Sequence, residues 1–188
     1  MLDAKLDKQS VIEVYTGNAK VYDLWAAMTE TKARKMAVNF ADPKGNEKLL
    51  EVAVGTGLTF ADLVKRNPNG ENYGIDLTPA MVAKAKLKMQ KLGYENCHLA
   101  LGDAEQLYFN DEEFDLWVNS YMFDLLPEEK FIPVLNEFKR VLKPTGRLVL
   151  TNMAVGQKAT NRFFDKVYRF NPKWMGGCRG VFSYGLIQ

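Results

Sequence analysis

The stretch at residues 48–57, KLLEVAVGTG, constrains the fold of this chain more than any other. Its first part is rich in Leu, Val and Ala, which is typical of a strand buried on both faces. The stretch ends in Gly55-Thr56-Gly57, and the segment that follows, FADLVKRN, has helical spacing. Glycines let the backbone approach a ligand, and the start of a helix offers unpaired N–H groups. The stretch therefore predicts a nucleotide-binding loop.

The full dinucleotide pattern would require a third glycine at position 60, where this chain has Phe60. This difference argues against a nicotinamide-dependent oxidoreductase. It directs attention to other signals of adenosine binding, which are expected at the ends of the strands that follow.

Four more segments have the composition of strands: residues 72–76, 96–101, 114–120 and 147–153. Helical segments lie between them, and one has Thr78 and Pro79 at its start and Gly93 at its end, as helix signals require. Pro144-Thr145-Gly146 predicts a turn before the last strand. Five strands that alternate with helices predict an α/β fold with a parallel sheet.

The N-terminal region, residues 10–40, is predicted to be helical with a break near Gly17-Asn18 and a second helix that begins near Thr31. These helices either pack on the body of the protein or form a lid over a pocket, and the sequence leaves both open. With 188 residues the chain is most simply one domain. We expect N-terminal helices in residues 1–45, a cofactor-binding core in 46–154, and a helix and tail in 155–188.

Composition excludes several classes of function. The net charge is +2 with interspersed charges, which gives no basic stripe for a nucleic acid. Cys97 and Cys178 are far apart and His98 is the only histidine, so no His/Cys metal centre is expected. His98 lies in the middle of a predicted strand, where we interpret it as structural. The polar N-terminus and the lack of a long apolar run predict no signal peptide or transmembrane segment, and hence a cytoplasmic location.

Acidic residues occur in or after three of the predicted strands. Glu51 lies inside the first strand, where a buried acid needs partners. Asp76 ends the second strand, 19 residues after Gly57, close to the spacing expected of an acid that binds ribose hydroxyls. Alternatively, Asp76 caps the helix that follows it.

Asp103 follows the third strand, where it can accept a hydrogen bond from the amine of adenine while the N–H of Ala104 faces a ring nitrogen. Its alternative role is that of a turn residue after Gly102. Met81 either packs on the adenine face through its sulfur or belongs to the core. Together, these residues predict an adenosine site.

Five motifs occur in order along the chain: LLEVAVGTG, YGIDLTPAMVAKAK, LALGDAEQLYF, FDLWVNSYMFDLLP and FKRVLKPTGRLVLTNM. With this set the chain resembles the class I S-adenosylmethionine-dependent methyltransferases, in particular the small-molecule (type 11) enzymes of ubiquinone and menaquinone biosynthesis. The resemblance runs from about Tyr22 to Met153. It implies a three-layer Rossmann-like sandwich with strand order 3-2-1-4-5, a helical lid, and S-adenosylmethionine as the cofactor, with S-adenosylhomocysteine as the product.

The resemblance also implies roles for individual residues. Those expected at the cofactor are Glu51, Ala53, Gly55, Thr56, Gly57, Asp76, Leu77, Met81, Asp103, Ala104 and Asn119. Within this set the acid and glycines of the first motif, with Asn119, surround the methionine moiety. The pattern Tyr22-Asp23-Leu24-Trp25 belongs to the helix that covers the cofactor. Tyr22 and Trp25 are therefore candidates to contact the acceptor, as are Tyr121 and Asp124, which come just after the fourth predicted strand.

Phe123, Leu125 and Leu126 suggest an apolar pocket wall, although they equally suit a loop packed under the N-terminal helices. We expect methyl transfer by direct displacement to a small, fairly apolar acceptor, with no catalytic residue required. A cofactor-binding but inactive, or partner-completed, module is the alternative.

Two features depart from the family pattern. Ala53 stands at the family's first glycine, and its methyl group is small enough that cofactor binding should survive. The given sequence ends at Gln188, before the family's final antiparallel pair of strands, so we expect a fragment, a natural truncation or a chain completed by a partner. The fifth strand would then be an exposed edge, so a homodimer through this edge or through the N-terminal helices is possible.

Overall fold

The computed structural model describes residues 4–18, 31–153, 168, 170–172 and 177–180 of the chain. The strands are β1 Lys48–Val52, β2 Glu71–Asp76, β3 Cys97–Leu101, β4 Phe114–Ser120 and β5 Leu142–Thr151. The helices are α1 Lys8–Asn18, α2 Thr31–Ala41, α3 Leu58–Arg66, α4 Pro79–Leu92 and α5 Phe131–Val141. A short 3₁₀ helix, Glu128–Lys130, precedes α5.

The five strands form one sheet in the order β3-β2-β1-β4-β5, and all four pairings are parallel. This confirms the predicted strand order. In the register of the sheet, Val52 of β1 lies between Ile75 of β2 and Asn119 of β4. From β1 the chain winds outward through β2 to β3 and then crosses back to β4. The junction of β1 and β4 is therefore the switch point at which ligands bind in open α/β sheets.

Alternate residues of the central strands face opposite sides of the sheet, as strand geometry requires. Leu49 and Leu116 pack with residues of α2, α3 and α4, whereas Leu50 and Trp117 pack with residues of α5. Helices therefore cover both faces, which confirms the predicted three-layer sandwich. Glu51 has the same parity as Leu49 and lies on the side of α2 and α3.

The structure differs from the prediction at the start of β5, which begins at Leu142 instead of Arg147. The pairing with β4 jumps from Phe114–Leu142 to Leu116–Arg147, so residues 143–146 stand outside the regular register. A Cβ atom on Gly146 would lie 2.7 Å from the Leu142 side chain, because the chain doubles back there. The predicted turn is thus present as an irregularity inside the strand.

Helix α4 begins at Pro79 and is terminated after Leu92 by Gly93, which has a φ of 72°, as the sequence predicts. The side chain of Thr78 does not cap the helix. The Thr78 N–H instead donates to the Asp76 carboxylate over 2.8 Å, so Asp76 takes its alternative role at the start of this helix.

The described C-terminal residues pack against the N-terminal segment. The Lys5 N–H donates to the buried Tyr168 hydroxyl over 3.2 Å, and Gly177 lies against Leu6. Most of the predicted helix at 161–170 lies outside the described residues, as does the place where the antiparallel strands would follow. The proposed division into lid, core and tail therefore stays a prediction.

Candidate active site

A cavity of about 510 Å³ opens at the carboxyl edge of the sheet, at the junction of β1 and β4. Its volume lies within the range of small-molecule sites. Val52, Asp76 and Ser120 reach it from the ends of β1, β2 and β4, and Met122, Leu125 and Leu126 reach it from the loop after β4. Polar groups and an apolar wall therefore face the same space.

Most of the predicted site residues meet at this cavity. They are Ala53, Gly55, Asp76, Leu77, Met81, Asp103, Ala104 and Tyr121. A smaller cavity of about 50 Å³ shares Ala53, Gly55 and Tyr121 with the larger one and is also lined by Glu51 and Thr56. The two acids Asp76 and Asp103 therefore lie on one edge of the sheet, around one space.

Asp76 connects the loop after β1 to the start of α4. Its two carboxylate oxygens accept N–H groups from Gly55 and Thr78, each over 2.8 Å. Burial raises the pKa of Asp76, and these two N–H donors oppose that rise because they favour the charged form. The carboxylate is thereby fixed at the cavity with its position set by backbone contacts.

Glu51 is 1% exposed, and its Oε2 atom has no hydrogen-bond partner. Burial raises the pKa of Glu51 well above its usual range, and the nearby charges of Asp76 and Asp62 raise it further. A buried acid in this state favours the arrival of a cation or donor, as its position in the first strand predicted.

The backbone is strained at two neighbouring strand ends. Ala53 has a φ of 60° and Tyr121 a φ of 57°, in the left-handed region that side chains with a Cβ disfavour. The Tyr121 N–H donates to the Thr151 carbonyl oxygen over 2.7 Å, which ties this turn to β5. The resemblance places Ala53 at the family's first glycine, and this positive φ is a physical reason for a glycine there.

Comparison with known proteins agrees with this geometry. A family model described as a methyltransferase domain matches residues 43–181. The demethylmenaquinone methyltransferase of Thermotoga maritima is 30% identical over 181 residues, which cover 94% of this chain and 75% of that protein. The chain belongs to the S-adenosylmethionine-dependent methyltransferases.

Two further similarities extend this result. The aklanonic acid methyltransferase DauC of a Streptomyces species is 28% identical over 81% of this chain and 68% of its own length. A crystal structure of a SAM-dependent methyltransferase from Aquifex aeolicus superposes with a TM-score of 0.61 and 22% identity, over 82% of this chain and 77% of that one, which shows the shared fold. The chain spans 75% of the length of the Thermotoga maritima protein and 34% of that of an arsenite methyltransferase of Halobacterium salinarum, to which it is 29% identical over 74% of its own length.

At the predicted adenine end, the methyltransferase has a cluster of four charged side chains. Lys8 of α1 lies 2.6 Å from Asp103 and 2.7 Å from Glu105, which in turn lies 2.7 Å from Lys130. Burial lowers the pKa of Lys8, but its hydrogen bonds to the two acids outweigh that effect and the pKa is raised. Asp103 also accepts the Glu105 N–H over 3.0 Å, so it is a turn residue as well. No sequence signal had identified Lys8.

Helix α1 covers one side of the larger cavity. Leu6, Lys8, Val11 and Tyr15 line it from this side. This placement is compatible with both packing on the body and a lid, so the lid interpretation of the N-terminal region stays a prediction. Tyr22 and Trp25, the other candidates in this region, lie outside the described residues, and their contact with an acceptor stays a prediction.

Two predicted cofactor residues line neither cavity of the methyltransferase. Gly57 has a φ of 80°, and a Cβ there would lie 3.1 Å from the Ala85 Cβ, so this glycine lets the loop pack on α4. Asn119 is fully buried, and its Nδ2 donates to the Val52 carbonyl oxygen over 2.8 Å. Both residues therefore support the backbone around the site without lining either cavity.

Asp124 lines neither cavity, and its expected contact with the acceptor stays a prediction. It is fully buried, and its two oxygens accept the Met153 N–H over 3.1 and 3.0 Å. The guanidinium of Arg179 donates to the carbonyl oxygens of Phe123, Asp124 and Leu126. Asp124 and Arg179 thus anchor the loop after β4, and nothing in the local sequence identified Arg179.

The described residues include no group of three His, Cys, Asp or Glu side chains that could hold a metal ion. Burial raises the pKa of the half-buried Cys97 to about 11, and His98 stacks on Tyr73. Neither residue lines the cavity at the junction of β1 and β4. None of the helices in the described ranges is long and apolar enough to cross a membrane.

Proposed function

We propose that this chain transfers a methyl group from S-adenosylmethionine to a small, fairly apolar acceptor by direct displacement. The observation that carries the proposal is the cavity at the junction of β1 and β4, where Asp76 and Asp103 share one space with an apolar wall. Family membership gives the donor chemistry, and the wall of the cavity suggests the class of acceptor.

The residues fit the donor in charge and in type. Asp76 would accept the ribose hydroxyls, while Asp103 and the Ala104 N–H would contact the adenine edge. Met81 is 1% exposed and lines the cavity, where its sulfur can pack on a ring face. Glu51, whose Oε2 has no partner, would meet the methionine end. When bound, the cofactor supplies a methyl group that is already activated as a sulfonium.

The chain itself would hold the two reactants in line and keep water away, which supplies much of the rate of a displacement. No side chain has to form a covalent intermediate. Met122, Leu125 and Leu126 line the cavity together with Val11 and Tyr15, so an apolar acceptor would lose water against them. A relative named for demethylmenaquinone, a quinone, supports the same class of acceptor.

A cofactor-binding but inactive, or partner-completed, module is the second candidate. Ala53 favours it, because its Cβ stands at a strained position that lines both cavities. A methyl-transfer screen on thiols, amines, phenols and quinone precursors separates the two candidates. Cofactor binding without turnover on any of them would favour the second.

The test of the site is calorimetry with S-adenosylhomocysteine on the wild type and on Asp76→Ala. A charged hydrogen-bond acceptor contributes about 1.5–3 kcal/mol, so the loss of Asp76 should weaken binding roughly 10- to 150-fold. Because Asp76 also holds Gly55 and Thr78, Asp76→Asn and a thermal unfolding scan check that the loop is intact. Asp111→Asn, at an exposed ion pair with Arg140, is the control. Equal binding by the wild type and both Asp76 variants would exclude the ribose role.

We also propose, as accompanying expectations, a cytoplasmic location, no nucleic-acid partner, and a possible homodimer through the outer edge of β5 or the N-terminal helices. Light scattering on the wild-type protein tests the last of these directly.

A further inference from the structure

The smaller cavity brings together side chains of opposite charge. Glu51 enters it from β1, and Arg34 enters it from α2, on the same side of the sheet. Gly55 and Thr59 line it as well, and it opens beside the larger cavity at Ala53. The sequence analysis had assigned no role to Arg34.

The guanidinium of Arg34 has N–H groups available to a ligand. Its Nε atom lies 3.2 Å from the Asp62 Oδ2 atom but makes no hydrogen bond. The side chain of Arg34 is 20% exposed and that of Asp62 is 41% exposed, so water can replace the guanidinium at Asp62. Because Nε faces Asp62, the two terminal nitrogens can form the paired hydrogen bonds that a guanidinium makes with a carboxylate.

The start of α3 adds further donors to the same cavity. Gly57 precedes the helix without a side-chain cap, and Leu58 and Thr59 line the cavity. The first N–H groups of a helix have no partner within it, and they carry partial positive charge. The buried Glu51 carboxyl, with its unpartnered Oε2 atom, is a second and independent sign that a ligand belongs here.

We propose that Arg34 binds the carboxylate of the methionine moiety of the cofactor, opposite Glu51, which takes its ammonium group. A free amino acid group carries one negative and one positive charge, and this cavity offers one partner for each. Arg34 is therefore a positioning residue that holds the donor by the end remote from the adenine. This inference rests on the proposed function, since it assumes that the cofactor occupies the adjoining cavity.

The test compares two ligands that differ in the amino acid group. S-adenosylhomocysteine carries it, and 5′-methylthioadenosine has the same adenosyl thioether without it. For Arg34→Met we expect calorimetry to show affinity for S-adenosylhomocysteine reduced about 10- to 100-fold, as for loss of a charged hydrogen-bond partner, with affinity for 5′-methylthioadenosine unchanged. Arg34→Lys, which keeps the charge but loses the planar fork, should fall between.

Lys35→Met, at an exposed neighbour on α2, is the matched control and should bind both ligands as the wild type does. An Arg34→Met protein that weakens both ligands equally, or neither, would overturn the inference. If Arg34→Met does not fold, the test rests on Arg34→Lys. An equal fold-loss of affinity for both ligands in that variant would also overturn the inference. A wild type that binds neither ligand would instead refute the proposed function, and the inference with it.

Discussion

Substitution of Ala53 allows the backbone strain at the candidate site to be measured as a change in the free energy of unfolding. Its φ of 60° lies in the left-handed region, where a Cβ costs roughly 1–2 kcal/mol because it approaches the following carbonyl oxygen. Glycine has no such cost. The substitution Ala53→Gly therefore removes strain from the folded state at the position where the family carries glycine.

The same substitution also gives the unfolded chain more freedom, which costs about 0.4–1 kcal/mol. The second effect cancels only part of the first, and we expect Ala53→Gly to be about 0.5–1 kcal/mol more stable than the wild type. For a chain of this length that corresponds to a rise of about 1–4 °C in the midpoint of thermal unfolding.

The control is Ala83→Gly, at an exposed position in α4 with ordinary helical backbone. There glycine relieves no strain and should lower the free energy of unfolding by about 1 kcal/mol. Urea unfolding followed by tryptophan fluorescence, to which the buried Trp117 contributes, reports both changes. If Ala53→Gly destabilises the protein as much as Ala83→Gly does, Ala53 is not strained and the explanation of the family's glycine is wrong.

Two further substitutions test the buried acids. Glu51→Gln should be more stable than the wild type at pH 8 and lose that advantage near pH 4, because burial and the charges of Asp76 and Asp62 raise the pKa of Glu51 in the folded state. A raised carboxyl pKa gives stability that is present below about pH 4.3 and is lost as the pH rises; urea unfolding over this range measures it, and a difference independent of pH would contradict it. Asp124→Asn should lower the free energy of unfolding by about 1–3 kcal/mol, since its oxygens hold the Met153 N–H. The affinity of Asp124→Asn for S-adenosylhomocysteine should not change. A loss of turnover at unchanged stability would instead indicate that Asp124 contacts the acceptor.

The strands could be predicted because buried parallel strands are apolar and are bounded by residues that break them. Residues 114–120 were predicted as a strand, and β4 spans Phe114–Ser120. The start of β5 was not predicted, because the turn at residues 143–146 breaks the register without ending the strand. A turn can be predicted from the local sequence. The hydrogen-bonded pairing on either side of the turn depends on the neighbouring strand, which is distant in sequence.

The positions of Asp76 and Asp103 at the candidate site could be predicted, because each acid comes at the end of a strand on the same edge of the sheet. Asp124 also follows a strand, yet its side chain turns inward to Met153, a contact that no spacing in the sequence encodes. Lys8 meets Asp103 across 95 residues of chain. Arg34 and Arg179 are likewise held by contacts with distant elements, so only the folded structure could identify them.

The local structure of the candidate site is unfavourable in free energy, and this is evidence for the position of the site that does not depend on any relative. Positive φ at a residue other than glycine also occurs at Asp42 and Glu112, but these are exposed residues of the turns before β1 and β4. Strain alone therefore does not mark a site. At the junction of β1 and β4, the strained Ala53 and Tyr121 stand beside the buried, unpartnered Glu51, and each feature costs free energy in the folded chain. A ligand that brings a cation to Glu51 offsets part of this cost, which is the physical reason to expect binding there.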